Sequence, residues 1–257
     1  MVKEDKILIP YSDLENGFNQ GRDQIEILLN SCESLYNSGI FPTSISLAII
    51  ALEEISKLKL IRDKIIRKED IHEKEWKEFT AYREAHDNKI LKPHHDARKK
   101  FQNMTEDKFN LINQFKMDID DPSFYNSLTQ AKTENPLLTK QLKTLKKIKE
   151  SCFYFERNQN QWISFHSLHN KKSQKKFAYL MKQTSWLYFK SVLLYFRHRK
   201  ISTDKNSQSY KRFVSDPLFQ ETKKINKEFK SRKFQQENTT AILEVFKKYM
   251  NGILDFS

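Results

Sequence analysis

The chain has 257 residues, with 46 Lys and Arg against 33 Asp and Glu, a net charge of +13, and only 4 Gly, 6 Pro and 2 Cys. An average soluble chain of this length would carry about 18 Gly. Neither G-x-G-x-x-G nor G-K-S/T occurs, and two cysteines cannot build a disulfide scaffold or a zinc ribbon, so glycine-loop nucleotide folds and small metal folds are set aside.

In chain order, the opening MVKEDKILIP has no apolar signal core. Ser12 and Glu15 have the spacing of a capping box, and Leu14, Phe18, Ile25, Leu28, Leu29, Cys32, Leu35 and Tyr36 follow at helical intervals, which predicts a first helix over 12–37. Gly39 stops it and Pro42 to Ser44 start a second, over 43–66, apolar almost all round at its beginning and therefore expected at the centre of a bundle. Residues 67–75 read as a charged joint. A third helix is expected over 74–91, a fourth over 97–118, another over 136–153, a long one over 173–198 and a last one over 218–252. ERNQNQ and 201–217 read as loops, and no strand pattern stands out. The stretch ISLAIIAL is far shorter than the roughly 20 apolar residues of a membrane span. The run 177–196 is interrupted by Lys182 and Lys190, so a cytoplasmic protein with no membrane contact is expected. Cys32 and Cys152, each among apolar neighbours, read as buried reduced thiols, with a disulfide or a thiol nucleophile as the alternative.

The charge is uneven. The first 60 residues hold 5 basic and 9 acidic groups, and the remainder holds 41 and 24. Between Glu156 and Asp204 there is no acidic residue, while Arg157, Lys171, Lys172, Lys175, Lys176, Lys182, Lys190, Arg197, Arg199 and Lys200 all fall there. Such a cluster suits contact with a polyanion. The aromatics of the same window could stack on unpaired bases, but they recur at core spacing, which favours a buried stripe.

Three groups of polar residues are candidates for chemistry. Glu53, Glu54 and Lys57 follow IIAL inside the second helix, with Lys57 in reach of either carboxylate. They read as an intrahelical ion pair at the edge of the core, or as carboxylates that orient a catalytic group. His86 shares a helix face with Arg83 and Lys89, two cations that would favour a neutral imidazole, able to act as a general base on a ribose 2′-hydroxyl while the cations hold phosphate. Arg67 and His72 have R-x4-H spacing, which recurs by chance in a basic chain. His166 and His169 share H-x-x-H spacing but lack the further ligands a zinc site needs, and no metal or other cofactor is expected.

The hairpin LENGFNQGRDQIEILLNSCESLYNSGIFPTSISLAIIALEEISKLKLI resembles the opening of the AbiV-type abortive-infection proteins of the HEPN superfamily. The resemblance rests on Glu53, Glu54 and Lys57 at the end of an Ala/Leu-rich helix, on His86 and Lys89 as H-x-x-K, and more loosely on Lys149 to Tyr154 followed by Trp162 to Ser164. It covers residues 12–166. It implies an all-α, HEPN-like helical bundle over 1–166, with 167–257 as a basic, aromatic-rich helical extension packed on it. It also implies a homodimer acting in anti-phage defence on RNA or a ribosome-associated target, with a phage-encoded protein as a trigger. Members are often metal-independent ribonucleases with an R-x(4–6)-H motif. This chain departs there, since no His lies within six residues of Lys149 and Arg157 to His166 is too long a gap. The expected catalytic set is then His86, Glu53, Glu54 and Lys57, with Arg83, Lys89, Lys149, Arg157, Lys171, Lys172, Lys175 and Lys176 on RNA phosphates. The alternatives are a non-catalytic helical protein that senses a phage component or binds RNA, and a helical adaptor with neither property.

Overall fold

The computed structural model describes residues 6–73, 75–76, 147–154, 156–158, 161–199, 206–231 and 245, with backbone alone for 156–158, 161–163, 226, 229 and 230. The elements are β1 (Ile7–Ile9), α1 (Tyr11–Asn37), α2 (Phe41–Arg67), β2 (Ile71–His72), the helical stretch 147–153 (α3), β3 (Glu156–Asn158), β4 (Gln161–Ile163), α4 (Phe165–Leu168), α5 (Lys171–Arg197), α6 (Gln208–Ser215) and α7 (Pro217–Lys230). The all-α expectation holds, with two short antiparallel strand pairs added to it, β1 with β2 and β3 with β4.

Helix α2 is the axis of the bundle, as its near-continuous apolar sequence requires. It packs along α1 and α5, and Ile45, Ala48, Ile49, Ala51, Leu52, Leu58 and Leu60 are buried on it. The small residues of α2 let neighbours come close enough for hydroxyls to reach backbone carbonyls. Ser44 Oγ donates to Cys32 O of α1 at 2.9 Å, Ser46 Oγ to Lys149 O of α3 at 2.8 Å, and Ser185 Oγ of α5 to Ala48 O at 2.9 Å. Each bond satisfies a buried hydroxyl, which would otherwise cost about 1–3 kcal/mol. Helix α5 lies beyond the 166/167 division drawn from the sequence, yet Phe177, Ala178, Met181, Phe189 and Val192 enter the same core as α1 and α2. Leu194 and Phe213 start a smaller cluster that seats α6 and α7.

The connection between α1 and α2 closes as the glycine requires. Gly39 has φ +77, its N–H donates to Tyr36 O at 3.0 Å, and the Ile40 N–H donates to Leu35 O at 2.9 Å. This is the paired pattern that ends a helix with a left-handed residue. Helix α2 ends the same way with a lysine in the glycine position, Lys68 at φ 58, its N–H donating to Ile65 O and that of Glu69 to Lys64 O.

Five sequence expectations are corrected. The Ser12–Glu15 capping box does not form: α1 begins at Tyr11 after Pro10 with no side-chain cap. Instead Asp70 Oδ1 accepts from the Tyr11 N–H at 2.7 Å. The β1–β2 pairing brings Asp70 there, so a tertiary acceptor replaces the local one. The joint 67–75 contains β2, whose Ile71 is buried. ERNQNQ holds β3 and the first residue of β4, which pair antiparallel with Glu156 opposite Ile163 and Arg157 opposite Trp162. Strands of two or three residues are too short to show alternation. The loop expected over 201–217 holds α6, capped by Ser207 at the Tyr210 N–H. The helix expected over 218–252 stops at Ser231, which is extended (ψ 134), after starting at Pro217 behind the Asp216 cap. The helices expected over 74–91, 97–118 and the first part of 136–153 lie largely outside the described residues.

Candidate functional site

The polar residues of α2 pair differently from what spacing alone suggests. Lys57 forms its ion pair with Glu54, three residues back. Glu53 turns inward, 4% exposed, and its Oε1 accepts from Lys149 Nζ at 2.7 Å. A buried carboxylate without a cation is costly, so this pair decides where α3 sits. Lys149 is therefore held twice, by its ammonium to Glu53 and by its carbonyl to Ser46. Its side chain is only 13% exposed.

Immediately beyond Lys149, the end of α3 forms one wall of a cavity of about 490 Å³. The α1–α2 turn, with Ile40, Pro42 and Thr43, forms another, and the start of α4 and of α5 closes it with His166, Lys171 and Gln174. Among the described residues, no acidic side chain lines it. Local sequence places these groups. Ser164 and Ser167 exchange side-chain and backbone bonds to cap α4, which fixes His166 in its first turn. Asn170 accepts from the Ser173 N–H and starts α5. Gln174 Nε2 donates to His169 O at 2.6 Å and lies 3.4 Å from His166 Nδ1.

Helix α5 begins with Lys171, Lys172, Lys175 and Lys176 and has no acidic residue in its first turn. Cations at that end oppose the helix dipole, and the two together favour a nearby anion. Lys171, Lys172 and Lys175 are exposed and Lys176 is half-buried. The rest of the acid-poor window is different. Lys182 is buried, 3.1 Å from Glu33 Oε1 and 4.6 Å from the Tyr36 ring centroid. Lys190 pairs with Glu221, and Arg197 and His198 both meet Asp216, at 2.8 Å each. Carboxylates from other segments thus neutralise Lys182, Lys190 and Arg197. Its aromatics Phe165, Phe177, Phe189 and Tyr195 are buried, as their spacing indicates.

Of the residues singled out in the sequence, Glu53 and Lys149 are brought together, Glu54 and Lys57 pair beside them, and Lys171 to Lys176 gather at the start of α5. Arg83, His86 and Lys89 lie outside the described residues. Arg157 is on β3, with its backbone alone described. Arg67 ends α2 and His72 lies on β2. Both cysteines are free thiols. Burial pushes both above their ordinary pKa, against side-chain hydrogen bonding between Cys32 and Ser44 and between Cys152 and Ser46, which leaves them poor nucleophiles. The sequence reading missed the cavity, with Tyr154, His166 and Gln174 on its wall. The Ser164-x-x-Ser167 cap was the one local sign that His166 begins a helix.

The described residues thus define an all-α bundle around one apolar helix, with a basic helix start beside a cavity. The HEPN_AbiV family model, described as AbiV, matches residues 14–186, and the chain belongs to this AbiV family of HEPN proteins. The match runs past the stretch 12–166 on which the resemblance rested and into α5. No curated protein and no solved structure matches the chain. No helix of the described residues is long and apolar enough to cross a membrane.

Proposed function

We propose that the protein is an abortive-infection effector that acts as a cytoplasmic homodimer on RNA or the translation machinery. Membership of the AbiV family supports the defence role. The observation that carries the RNA reading is the start of α5, where exposed lysines, no carboxylate and a helix N-terminus coincide beside the cavity. Phosphodiesters are the polyanion such a surface suits. In the catalytic form of this reading, His86 takes the proton from a ribose 2′-hydroxyl. The oxygen attacks the adjacent phosphorus and the 5′-oxygen leaves, taking a proton from water, which gives a 2′,3′-cyclic phosphate end and a 5′-hydroxyl end. Arg83, Lys57 and Lys89 would balance the phosphorane charge, with Glu53 and Glu54 orienting them.

The pairing within α2 favours the second reading, a binding protein without chemistry. Glu53 is engaged by Lys149 and Lys57 by Glu54, so these groups are neutralised where they stand. Incubating the purified chain with total bacterial RNA in EDTA separates the two. Cleavage by the wild type and none by His86→Ala supports the catalytic form. Cleavage by both removes His86 from it. Salt-dependent binding without cleavage supports the binding reading, and neither binding nor cleavage overturns action on RNA. A monomer in a sizing experiment at micromolar concentration overturns the dimer.

A further inference from the structure

Helix α7 runs antiparallel to α5, and three polar contacts from one segment join them. Tyr179 Oη donates to Glu228 Oε1 at 2.5 Å, Lys190 pairs with Glu221, and Arg197 meets Asp216, the cap of α7, at 2.8 Å. Leu218, Glu221, Ile225 and Glu228 recur at the spacing of a helix–helix seam. Two of these four places, which a permanently packed helix fills with apolar side chains, hold carboxylates. Polar residues in a seam fix register at a cost in stability. Among the described residues, the apolar seat of α7 is at its start, where Leu218 and Phe219 pack with Leu194 and Phe213, apart from the main core. Glu221 is 51% exposed, so its ion pair holds α7 only weakly.

The charges of α7 are sorted. Glu221 and Glu228 meet α5, while Lys223, Lys224 and Lys227 are exposed. On α5, which has no acidic residue, the cations that this segment takes up continue a stripe. Lys172, Lys190 and Arg197 are separated by about five and about two helical turns, which puts them on one face. Lys190 Nζ also lies 5.1 Å from the Trp186 ring centroid. We propose that α7 is an autoinhibitory strap over a second phosphodiester surface of α5, its carboxylates standing where RNA phosphates would meet Lys190 and Arg197. Closed, the strap confines RNA to the start of α5. Open, it extends the basic face along the helix. The choice of RNA as the partner rests on the reading above.

The test uses the full chain and a triple variant, Asp216→Asn with Glu221→Gln and Glu228→Gln, in which Asn keeps the cap of α7. A labelled ten-nucleotide RNA and inorganic polyphosphate are titrated over a range of salt, and hydrogen exchange of residues 217–230 reads the strap. In the triple variant that exchange should be about tenfold faster. The salt slope of log K for RNA should steepen by about 1.4–1.8, two phosphate contacts at about 0.7–0.9 each. Adding Lys190→Gln should take back about 0.7–0.9, while the same change in the wild type should leave the slope as it is. Asp13→Asn with Glu15→Gln and Glu26→Gln, on the exposed face of α1, removes the same charge and should not change the slope. If the wild type and the triple variant bind RNA with one slope, the strap is overturned and the RNA reading stands. If the triple variant gains slope on polyphosphate and neither form binds RNA, the RNA reading falls and the covered anion surface stands. An equal gain from the α1 variant, or a gain without faster exchange of 217–230, overturns the strap.

Discussion

Replacing Lys149 by Met tests whether the Glu53–Lys149 pair is a strut of the fold. The carboxylate it leaves behind is on a side chain 5% exposed, while the ammonium it removes was 13% exposed. Breaking a buried pair by deleting one partner costs about 3–5 kcal/mol, and the partial access of water to Lys149 places this case at the low end, near 3 kcal/mol. For a chain of this size that corresponds to a fall of about 6–12 °C in Tm, at about 2–4 °C per kcal/mol. The double variant Glu53→Met with Lys149→Met removes both charges and keeps the volume, and apolar replacement of a buried pair is often close to neutral. The double variant should therefore recover most of the loss, within about 3 °C of the wild type. Differential scanning calorimetry of the three proteins measures this. A single variant that loses less than about 1 kcal/mol, or a double variant as unstable as the single, would refute the loss of the Glu53–Lys149 pair as the cost. RNA affinity measured well below the Tm adds a second reading. If Lys149 served phosphate rather than Glu53, Lys149→Met would weaken RNA binding and leave Tm in place.

Three further outcomes are expected. Lys68 holds φ 58 at the end of α2, a conformation that costs an L-residue about 1–2 kcal/mol, so Lys68→Gly should raise stability by about 0.5–1 kcal/mol after the entropy of the unfolded glycine is subtracted. Gly39→Ala at φ +77 should lower it by about 1 kcal/mol; thermal unfolding reads both. Burial alone would raise the Asp216 carboxyl, but hydrogen bonds from His198, Arg197 and the Leu218 N–H outweigh it and hold its pKa below the ordinary range. A depressed carboxylate stabilises above its unfolded pKa, about 3.9, and the gain is lost as pH falls through the folded value. Asp216→Asn should therefore cost about 2 kcal/mol in denaturant melts at pH 7, and the gap to wild type should close below about pH 4. Both thiols are pushed up by burial, so iodoacetamide at pH 8 should label Cys32 and Cys152 at least about 100-fold more slowly in the native protein than in denaturant, as read by mass spectrometry.

The long helices were legible because each carries its own period. The α1–α2 hairpin was placed within two residues at every end, and Gly39 announced its turn. What sequence could not show were contacts between distant segments. The Ser12–Glu15 signal was locally sound, yet Asp70, brought in by a two-residue strand, took the cap. The site followed the same rule. Lys57 was correctly within reach of Glu54, but nothing local indicated that Glu53 would leave it for a lysine 96 positions away. The cavity is built from four segments that share no sequence pattern, and only its helix caps are local.

The same long-range pairing redraws the charge of the molecule. An acid-free run from Arg157 to Lys200 suggests a continuous basic face, but Glu33, Glu221 and Asp216 come from outside the run and neutralise Lys182, Lys190 and Arg197. Among the described residues of the run, the exposed lysines are Lys171, Lys172 and Lys175, within one turn of the cavity. Two lysines there should therefore dominate the electrostatic part of RNA binding. Replacing Lys172 and Lys175 by Gln should cut the salt slope of log K by about 1.4–1.8, since each released phosphate contact contributes about 0.7–0.9. Replacing Lys182 and Lys190 should leave the slope unchanged. Anisotropy titrations between 50 and 200 mM salt decide it. If the two pairs of variants changed the slope equally, the basic face would extend along the whole of α5, and the ion pairs seen there would have to open on binding.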